Sequence, residues 1–226
     1  MNFLKYIESF CIKNNIELIV SDQNRVNCYS IKCNGFFDNQ LPIELNRNYI
    51  LDIESNIPIV NASGKTKMVL AYSRGGKTED EILSLVAHEF SHANQYLEGS
   101  DLWMNSEEFK FFDSYFEDAE IKKEDILNTW IKIVHLEADC ENRVLSFIDK
   151  FNLNLDKKLY AQRANAYLFF YWFALEKRSW YKTAPYELKD IVSQMPTELK
   201  CMSYYSNVNN KEIKAHKKLF EQCFNY

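Results

Sequence analysis

Two histidines and a glutamate within five residues are the clearest chemical signal in this chain. His88 and His92 enclose a His-Glu-x-x-His motif in which Glu89 follows the first histidine. Residues four apart on a helix project from one face, so both imidazoles can bind a single metal ion. Zinc prefers such nitrogen ligands, and Glu89 is placed to take a proton from the water that zinc activates. The spacing therefore predicts a zinc site with His88 and His92 as ligands and Glu89 as general base.

A chance occurrence of the motif is the competing interpretation of these residues. In that interpretation, the two histidines lie on an exposed helix face and are satisfied by other hydrogen bonds. The chain has only four histidines in 226 residues, and such a chain contains the motif by chance in roughly one case in a hundred or fewer. This rarity favours metal binding.

A third protein ligand is expected from the acidic segment that begins at His135 and ends at Glu141. Catalytic zinc sites use three protein ligands, and several candidate ligands recur in this segment at helical spacing. In one register, Glu137 binds the metal and Glu141, one turn later, supports a ligating histidine by a hydrogen bond. In the other register, His135 binds the metal and Asp139 takes the supporting role. The residues alone leave both registers open.

The elements that hold these residues are predicted from periodicity and turn signals. Thr78 and Glu81 form a capping box, so a helix should begin at Thr78 and end near Gly99, with His88 and His92 in its middle. Amphipathic spacing predicts further helices, and short segments rich in β-branched or aromatic residues predict strands. The predicted helices cover residues 2–14, about 124–150 and about 156–180, and the predicted strands cover 17–21, 26–32, 48–53 and 67–72.

These elements predict an α+β fold in one domain, residues 1–226, because no repeat or low-complexity linker divides the chain. Residues 1–104 are expected to hold the N-terminal helix, a small sheet and the helix of the motif. Residues 105–226 are expected to form a helix-rich C-terminal half that supplies the third metal ligand.

Composition excludes several classes of function. The net charge of -5 and the isoelectric point near 5.5 argue against a nucleic-acid-binding protein. The longest apolar run has ten residues (166–175), well short of the roughly 18 needed to cross a bilayer, and the charged N-terminus does not resemble a signal peptide. The six cysteines are scattered, which is typical of a reduced cytoplasmic protein.

The two motifs together resemble the zincin metallopeptidases. Glu137 followed four residues later by Glu141 is similar to the second motif of the gluzincin group, with glutamate in place of the usual aspartate, and the same stretch resembles short bacterial and phage proteins of the ImmA/IrrE type. This resemblance favours Glu137 over His135 as the ligand. It implies a zincin-like small sheet beside the motif helix, hydrolysis of a peptide bond by a metal-activated water, and a substrate paired along an edge strand at residues 67–72.

Two classes of function therefore compete. The first is a cytoplasmic zinc peptidase that acts on a protein or peptide substrate. The second is a zinc-stabilised interaction module, such as a phage or host regulatory protein, that binds a partner without cleaving it. A third interpretation, compatible with either, treats the aromatic run from Tyr167 to Phe173 as a surface through which the C-terminal helices form oligomers.

Overall fold

The computed structural model describes residues 2–29, 31–51, 64–117, 120–207 and 210–225. It has the predicted α+β composition, with a small mixed sheet and a predominance of helix. The chain divides into two compact units: unit 1 is Met1–Ser100 with Ser146–Leu155, and unit 2 is Asp101–Leu145 with Asp156–Tyr226. The prediction of a single domain stays a prediction.

Unit 1 contains the sheet and the helix of the His-Glu-x-x-His motif. Its elements, in chain order, are α1 (Phe3–Lys13), β1 (Ile16–Ser21), β2 (Val26–Cys28), β3 (Ile31–Cys33), β4 (Gly35–Pro42), α2 (Arg47–Leu51), β5 (Thr66–Ser73) and α3 (Glu79–Leu97). The helices predicted at 2–14 and from Thr78 are confirmed, as are the strands at 17–21 and 67–72.

The strand β5 lies at the centre of its sheet, whose order is β1-β5-β4. It pairs with β1 in parallel and with β4 in antiparallel, and the pairing with β4 shifts register between Asp38 and Leu41. The expectation that residues 67–72 form an edge strand is therefore wrong, because the backbone groups of β5 already bond to two neighbours. In the described sheet, β1 and β4 are the two outer strands, one on each side of β5.

Two other predicted strands differ from the structure. The prediction of one strand over 26–32 is replaced by two short strands, β2 and β3, which pair as a hairpin; Tyr29, directly after β2, adopts a left-handed conformation with φ of 45° and breaks the strand. Residues 47–51 form the short helix α2, since the Asn46 side chain accepts hydrogen bonds from the backbone N–H groups of Asn48 and Tyr49. The rest of that predicted strand, 52–53, lies outside the described residues.

An aromatic cluster supports the back of α3 within unit 1. Phe90, which lies inside the motif and is fully buried, has edge-to-face contacts with Phe3, Tyr6 and Phe10 of α1. Phe147 contacts the same ring at a centroid distance of 5.3 Å. These contacts fix the side of α3 that faces the core, and so the motif histidines project from a helix that cannot rotate freely.

In the described residues of unit 2, all regular secondary structure is helical. Its elements are α4 (Ser106–Glu117), α5 (Lys123–Phe151, of which the last turns belong to unit 1), α6 (Lys157–Lys177), α7 (Lys189–Val192), α8 (Met202–Ser206), α9 (Asn210–Phe220) and short 3-10 helices at Pro185–Glu187 and Glu221–Phe224. The long helices α5 and α6 are confirmed, whereas the sequence did not predict α4.

The core of unit 2 is built from large aromatic side chains. Trp130 of α5 is fully buried, and the run Leu168–Leu175 of α6 is buried along its whole length. The aromatic run that the sequence offered as an oligomer surface thus packs within its own chain from residue 168 onward, and assembly through the C-terminal helices stays a prediction. None of the helices in the described ranges is long and apolar enough to cross a membrane.

Candidate metal centre

The helix α3 begins with the predicted capping box. The Thr78 hydroxyl accepts a hydrogen bond from the backbone N–H of Glu81, and the Glu81 carboxylate accepts one from the backbone N–H of Thr78. Three acidic residues in the first turn complement the positive end of the helix dipole. The helix then runs for 19 residues, which places the His-Glu-x-x-His motif well inside a regular segment.

His88 and His92 direct the same ring atom toward each other. Their Nε2 atoms lie 3.2 Å apart, and both side chains are half-buried. Two nitrogens bound at about 2.0–2.1 Å to one tetrahedral zinc ion would themselves be ~3.3 Å apart. The pair therefore fits two of the ligand positions around zinc without any change of helix geometry.

Gln95 fixes the second ring of the pair. Its Oε1 lies 2.8 Å from Nδ1 of His92, and its side chain is fully buried. An amide oxygen can only accept, so Nδ1 of His92 carries the proton and donates it. The neutral ring then has a lone pair on Nε2, the atom that faces His88, and this is the tautomer that a metal requires.

Glu89 lies in a confined, largely buried position beside the start of β4. The glutamate is 8% exposed. A Cβ at Gly35 would come within 3.1 Å of the Glu89 Cγ and 3.0 Å of the Ala71 carbonyl oxygen, so the absence of a side chain at Gly35 makes room for the glutamate. The sequence predicted Glu89 but did not indicate a role for Gly35.

Two thiols of the β2–β3 hairpin also lie near Glu89. Burial, followed by charge repulsion from Glu89, raises the pKa of Cys33 to about 12. Burial raises the pKa of Cys28 well above its ordinary value as well, with further contributions from Cys33, Asp38 and Glu89. Both thiols are therefore protonated at neutral pH, and they add no charge beside the Glu89 carboxylate.

In unit 2, two carboxyl groups and a thiol share one face of α5. Cys140 and Glu141 follow Glu137 by three and four residues, which places all three side chains on the same side of the helix. Glu141 and Cys140 are buried, at 5% and 0% exposure. The Glu141 carboxylate accepts a hydrogen bond from the Tyr160 hydroxyl of α6.

Three tyrosines of α6 surround this face. Burial and then the nearby Glu141 raise the pKa of Tyr160, while burial and then Glu137 raise the pKa values of Tyr167 and Tyr171. All three hydroxyls therefore keep their protons. A carboxylate among protonated phenols has hydrogen-bond donors close to it, and such donors orient a metal-binding carboxylate in proteins.

The residues of the alternative register lie on the other side of α5. His135 is two residues before Glu137, which corresponds to about 200° around the helix, and its Nε2 lies 2.8 Å from the Ser206 hydroxyl. Asp139 forms an ion pair with Arg143, at 2.7 Å. Glu137 and His135 therefore present their side chains in different directions within unit 2, and both ligand assignments stay predictions.

Sequence reasoning missed several residues of these two clusters. Gln95 lies one turn after His92, a spacing that indicates contact on a helix, but nothing in the sequence indicates that the amide is buried. The position of Cys140 is typical of a small buried hydrophobe, although it stands between Glu137 and Glu141. Tyr160 has no recognisable signal, since its partner Glu141 is 19 residues away in the chain.

No protein-family model, no curated protein and no solved structure matches this chain. The resemblance to the zincins, including the gluzincin-like second motif, therefore stays a prediction.

Proposed function

We propose that the chain is a zinc-dependent hydrolase that cleaves peptide bonds of a protein substrate, with Glu89 as general base. One observation carries the proposal: the Nε2 atoms of His88 and His92 face each other at 3.2 Å, and Nδ1 of His92 is already engaged by Gln95. The two nitrogens are also at hydrogen-bonding distance from each other, and a shared metal ion would replace that contact. The fit to the nitrogen spacing around zinc favours a metal site.

The chemistry of each residue follows from its position. A zinc ion at this site would supply Lewis acidity and lower the pKa of its bound water to about 7. His88 and His92 would hold that ion through Nε2. Glu89 would accept the proton of the attacking water and return it to the leaving amine. Glu89 is largely buried, and the approach of β4 at Gly35 confines its side chain.

Glu137 is proposed as the third ligand, with Glu141 in a supporting role. The hydrogen bond from Tyr160 to Glu141 and the protonated phenols near Glu137 provide the donors that such carboxylates need. Cys140 is a rival on the same helix face, since zinc also binds thiolate sulfur. His135 with Asp139 is the alternative assignment, and its existing bond to Ser206 makes it the weaker one.

A zincin-like fold and a peptide substrate form part of the same proposal. The outer strand β4 approaches Glu89 at Gly35, and an outer strand offers backbone groups with which an extended peptide can pair. All six cysteines are free thiols, which fits a role in the reducing cytoplasm.

The test combines metal content with cleavage. Purified protein would be analysed for zinc and incubated with a peptide library prepared from denatured cell protein, and the products would be identified by mass spectrometry. We expect about one zinc per chain, discrete cleavage products, and the loss of those products in Glu89→Gln with zinc retained. Glu79→Gln is the matched control, because it makes the same change at an exposed position in the first turn of the same helix.

The outcomes separate the competing functions. Absence of zinc, together with no change in metal content on His88→Ala, would refute the metal site. Cleavage that persists in Glu89→Gln would refute the assignment of the general base. Zinc without any cleavage by the native sequence would favour the interaction module over the peptidase.

A further inference from the structure

One side of the β2–β3 hairpin packs against the core of unit 1, except for the exposed side chain of Ile31. Val26 pairs with Cys33 and Cys28 pairs with Ile31, so these four side chains lie on one side of the hairpin. Val26 is fully buried, and both cysteines pack against the core of unit 1. Ile31, in contrast, is 67% exposed.

This side of the hairpin is also the one that approaches Glu89. The Cys33 and Cys28 thiols are close enough to Glu89 for its charge to raise their pKa values. Two residues after Cys33, Gly35 approaches the Glu89 Cγ closely enough that a Cβ there would lie 3.1 Å from it. Ile31 is thus the most exposed of these four side chains, two of which are thiols near the proposed general base.

The hairpin is held in place beside an outer strand of the sheet. The Tyr29 phenol, in the turn before Ile31, donates a hydrogen bond to the Asp38 carboxylate of β4. At the base of the hairpin, Asn27 donates from its side chain to the Tyr49 carbonyl oxygen of α2 at 3.2 Å. Ile31 is therefore presented from an anchored hairpin.

We propose that Ile31 determines substrate specificity by contacting an apolar side chain of the peptide next to the bond that is cleaved. The proposal rests on the proposed zinc peptidase function. An aliphatic side chain that is two-thirds exposed has apolar surface to remove from water. The same side of the hairpin carries the two thiols that lie near Glu89.

The experiment measures binding of two zinc-chelating probes to the zinc-reconstituted protein by calorimetry. Acetohydroxamate carries a methyl group, and N-acetyl-leucine hydroxamate carries a leucine side chain. We expect the native sequence to bind the leucine probe about tenfold more tightly, as partial burial of one such side chain allows. Ile31→Ser should lower this preference to about twofold or less. The separate variant Ile31→Val should keep most of the preference, because valine is also aliphatic.

Ile12→Ser is the matched control, because Ile12 is an 83% exposed isoleucine on α1 of the same unit. This variant should prefer the leucine probe as strongly as the native sequence does. A preference that is unchanged in Ile31→Ser would overturn the specificity role and leave the metal site standing, because acetohydroxamate would still bind. If neither probe bound the zinc-reconstituted native sequence, the open metal site itself would be refuted, and the specificity role with it. Since Ile31 is exposed, folding of the variants should be preserved, and circular dichroism checks this.

Discussion

The Oε1 atom of Gln95 lies 2.8 Å from Nδ1 of His92, three residues earlier on the same helix. Both groups belong to α3, so their separation is set by the helix itself. The amide determines which nitrogen of His92 carries the proton, and it does so from a fully buried position. The His92 ring is consequently held in one orientation by its own helix, which would lower the cost of binding a metal ion there.

Removal of this amide should weaken zinc binding without removing a ligand. Gln95→Met keeps the length of the side chain but replaces the amide oxygen by a thioether, a much weaker acceptor for the hydrogen bond from Nδ1–H. We expect zinc affinity to fall about 10–100-fold. Competition with a chromophoric chelator measures this change. The control is Asn94→Ala, because the Asn94 side chain donates to the Phe90 carbonyl oxygen and not to a histidine. Equal affinities of Gln95→Met and the native sequence would contradict the role of Gln95.

The third ligand can be identified by single substitutions on α5. Glu137→Ala should abolish zinc retention after dialysis, whereas His135→Ala should lose only its hydrogen bond to Ser206 and keep the metal. Cys140→Ser tests the thiol on the Glu137 face in the same way. Elemental analysis of the three variants gives the answer. Loss of zinc in His135→Ala alone would reverse the assignment, and loss in Cys140→Ser alone would transfer it to the thiol.

A side chain at Gly35 should destabilise unit 1 and crowd Glu89, the proposed general base. In Gly35→Ala, the new Cβ would lie 3.0 Å from the Ala71 carbonyl oxygen, 3.1 Å from Glu89 Cγ and 3.2 Å from Leu85 Cδ1. We expect the free energy of unfolding to fall by about 1–3 kcal/mol, the usual cost of overpacking. Urea denaturation measures it.

The double variant Gly35→Ala with Leu85→Ala provides the control for that prediction. Leu85→Ala removes one of the three contacts, so the two substitutions should be less destabilising together than the sum of their separate effects. If the two changes in the free energy of unfolding were strictly additive, the contact with Leu85 would not be a source of the strain.

Cys201 should react with iodoacetamide at neutral pH before Cys11 and Cys223 do. It is exposed, and hydrogen bonding to the Ser203 hydroxyl lowers its pKa, with the backbone N–H of Tyr204 contributing further. Burial raises the pKa of Cys11 to about 11 and that of Cys223 to about 12. The thiolate is the reactive form, so labelling at Cys201 should reach its maximum rate at lower pH than at the other two.

Mass spectrometry of briefly labelled protein over a range of pH resolves the order of reaction. Ser203→Ala removes the hydroxyl and should slow labelling of Cys201 at neutral pH by raising its pKa. Preferential labelling of Cys11 or Cys223 in the native sequence would contradict this order.

Features that are encoded locally could be predicted from the sequence. The capping box at Thr78 and the helical spacing of the motif depend on residues within one or two turns, and the structure bears out both. The position of β5 between β1 and β4 could not be predicted, because pairing partners such as Ile16 and Met68 lie far apart in the chain and many strand orders satisfy the same pattern. The left-handed turn at Tyr29 was missed for a different reason, since tyrosine rarely adopts a positive φ.

The surroundings of the candidate ligands show the same division. His88 and His92 could be identified because their spacing is a property of one helix. The contact of Glu89 with Gly35 could not, because it joins two elements that are distant in the chain and depends on a side chain that is absent. Residues that act by leaving space carry little signal in a single sequence.

The aromatic cluster behind α3 bears on how the chain is synthesised. Phe3 of α1 packs against Phe147 and Phe151 at centroid distances of 5.8 and 5.0 Å. Because α1 lies near the N-terminus, it leaves the ribosome before Phe147 and Phe151 have been synthesised. Until they do, Phe90 lacks the Phe147 contact behind it. A nascent chain would thus carry its His-Glu-x-x-His motif without a complete supporting core until residues 147–151 have left the ribosome.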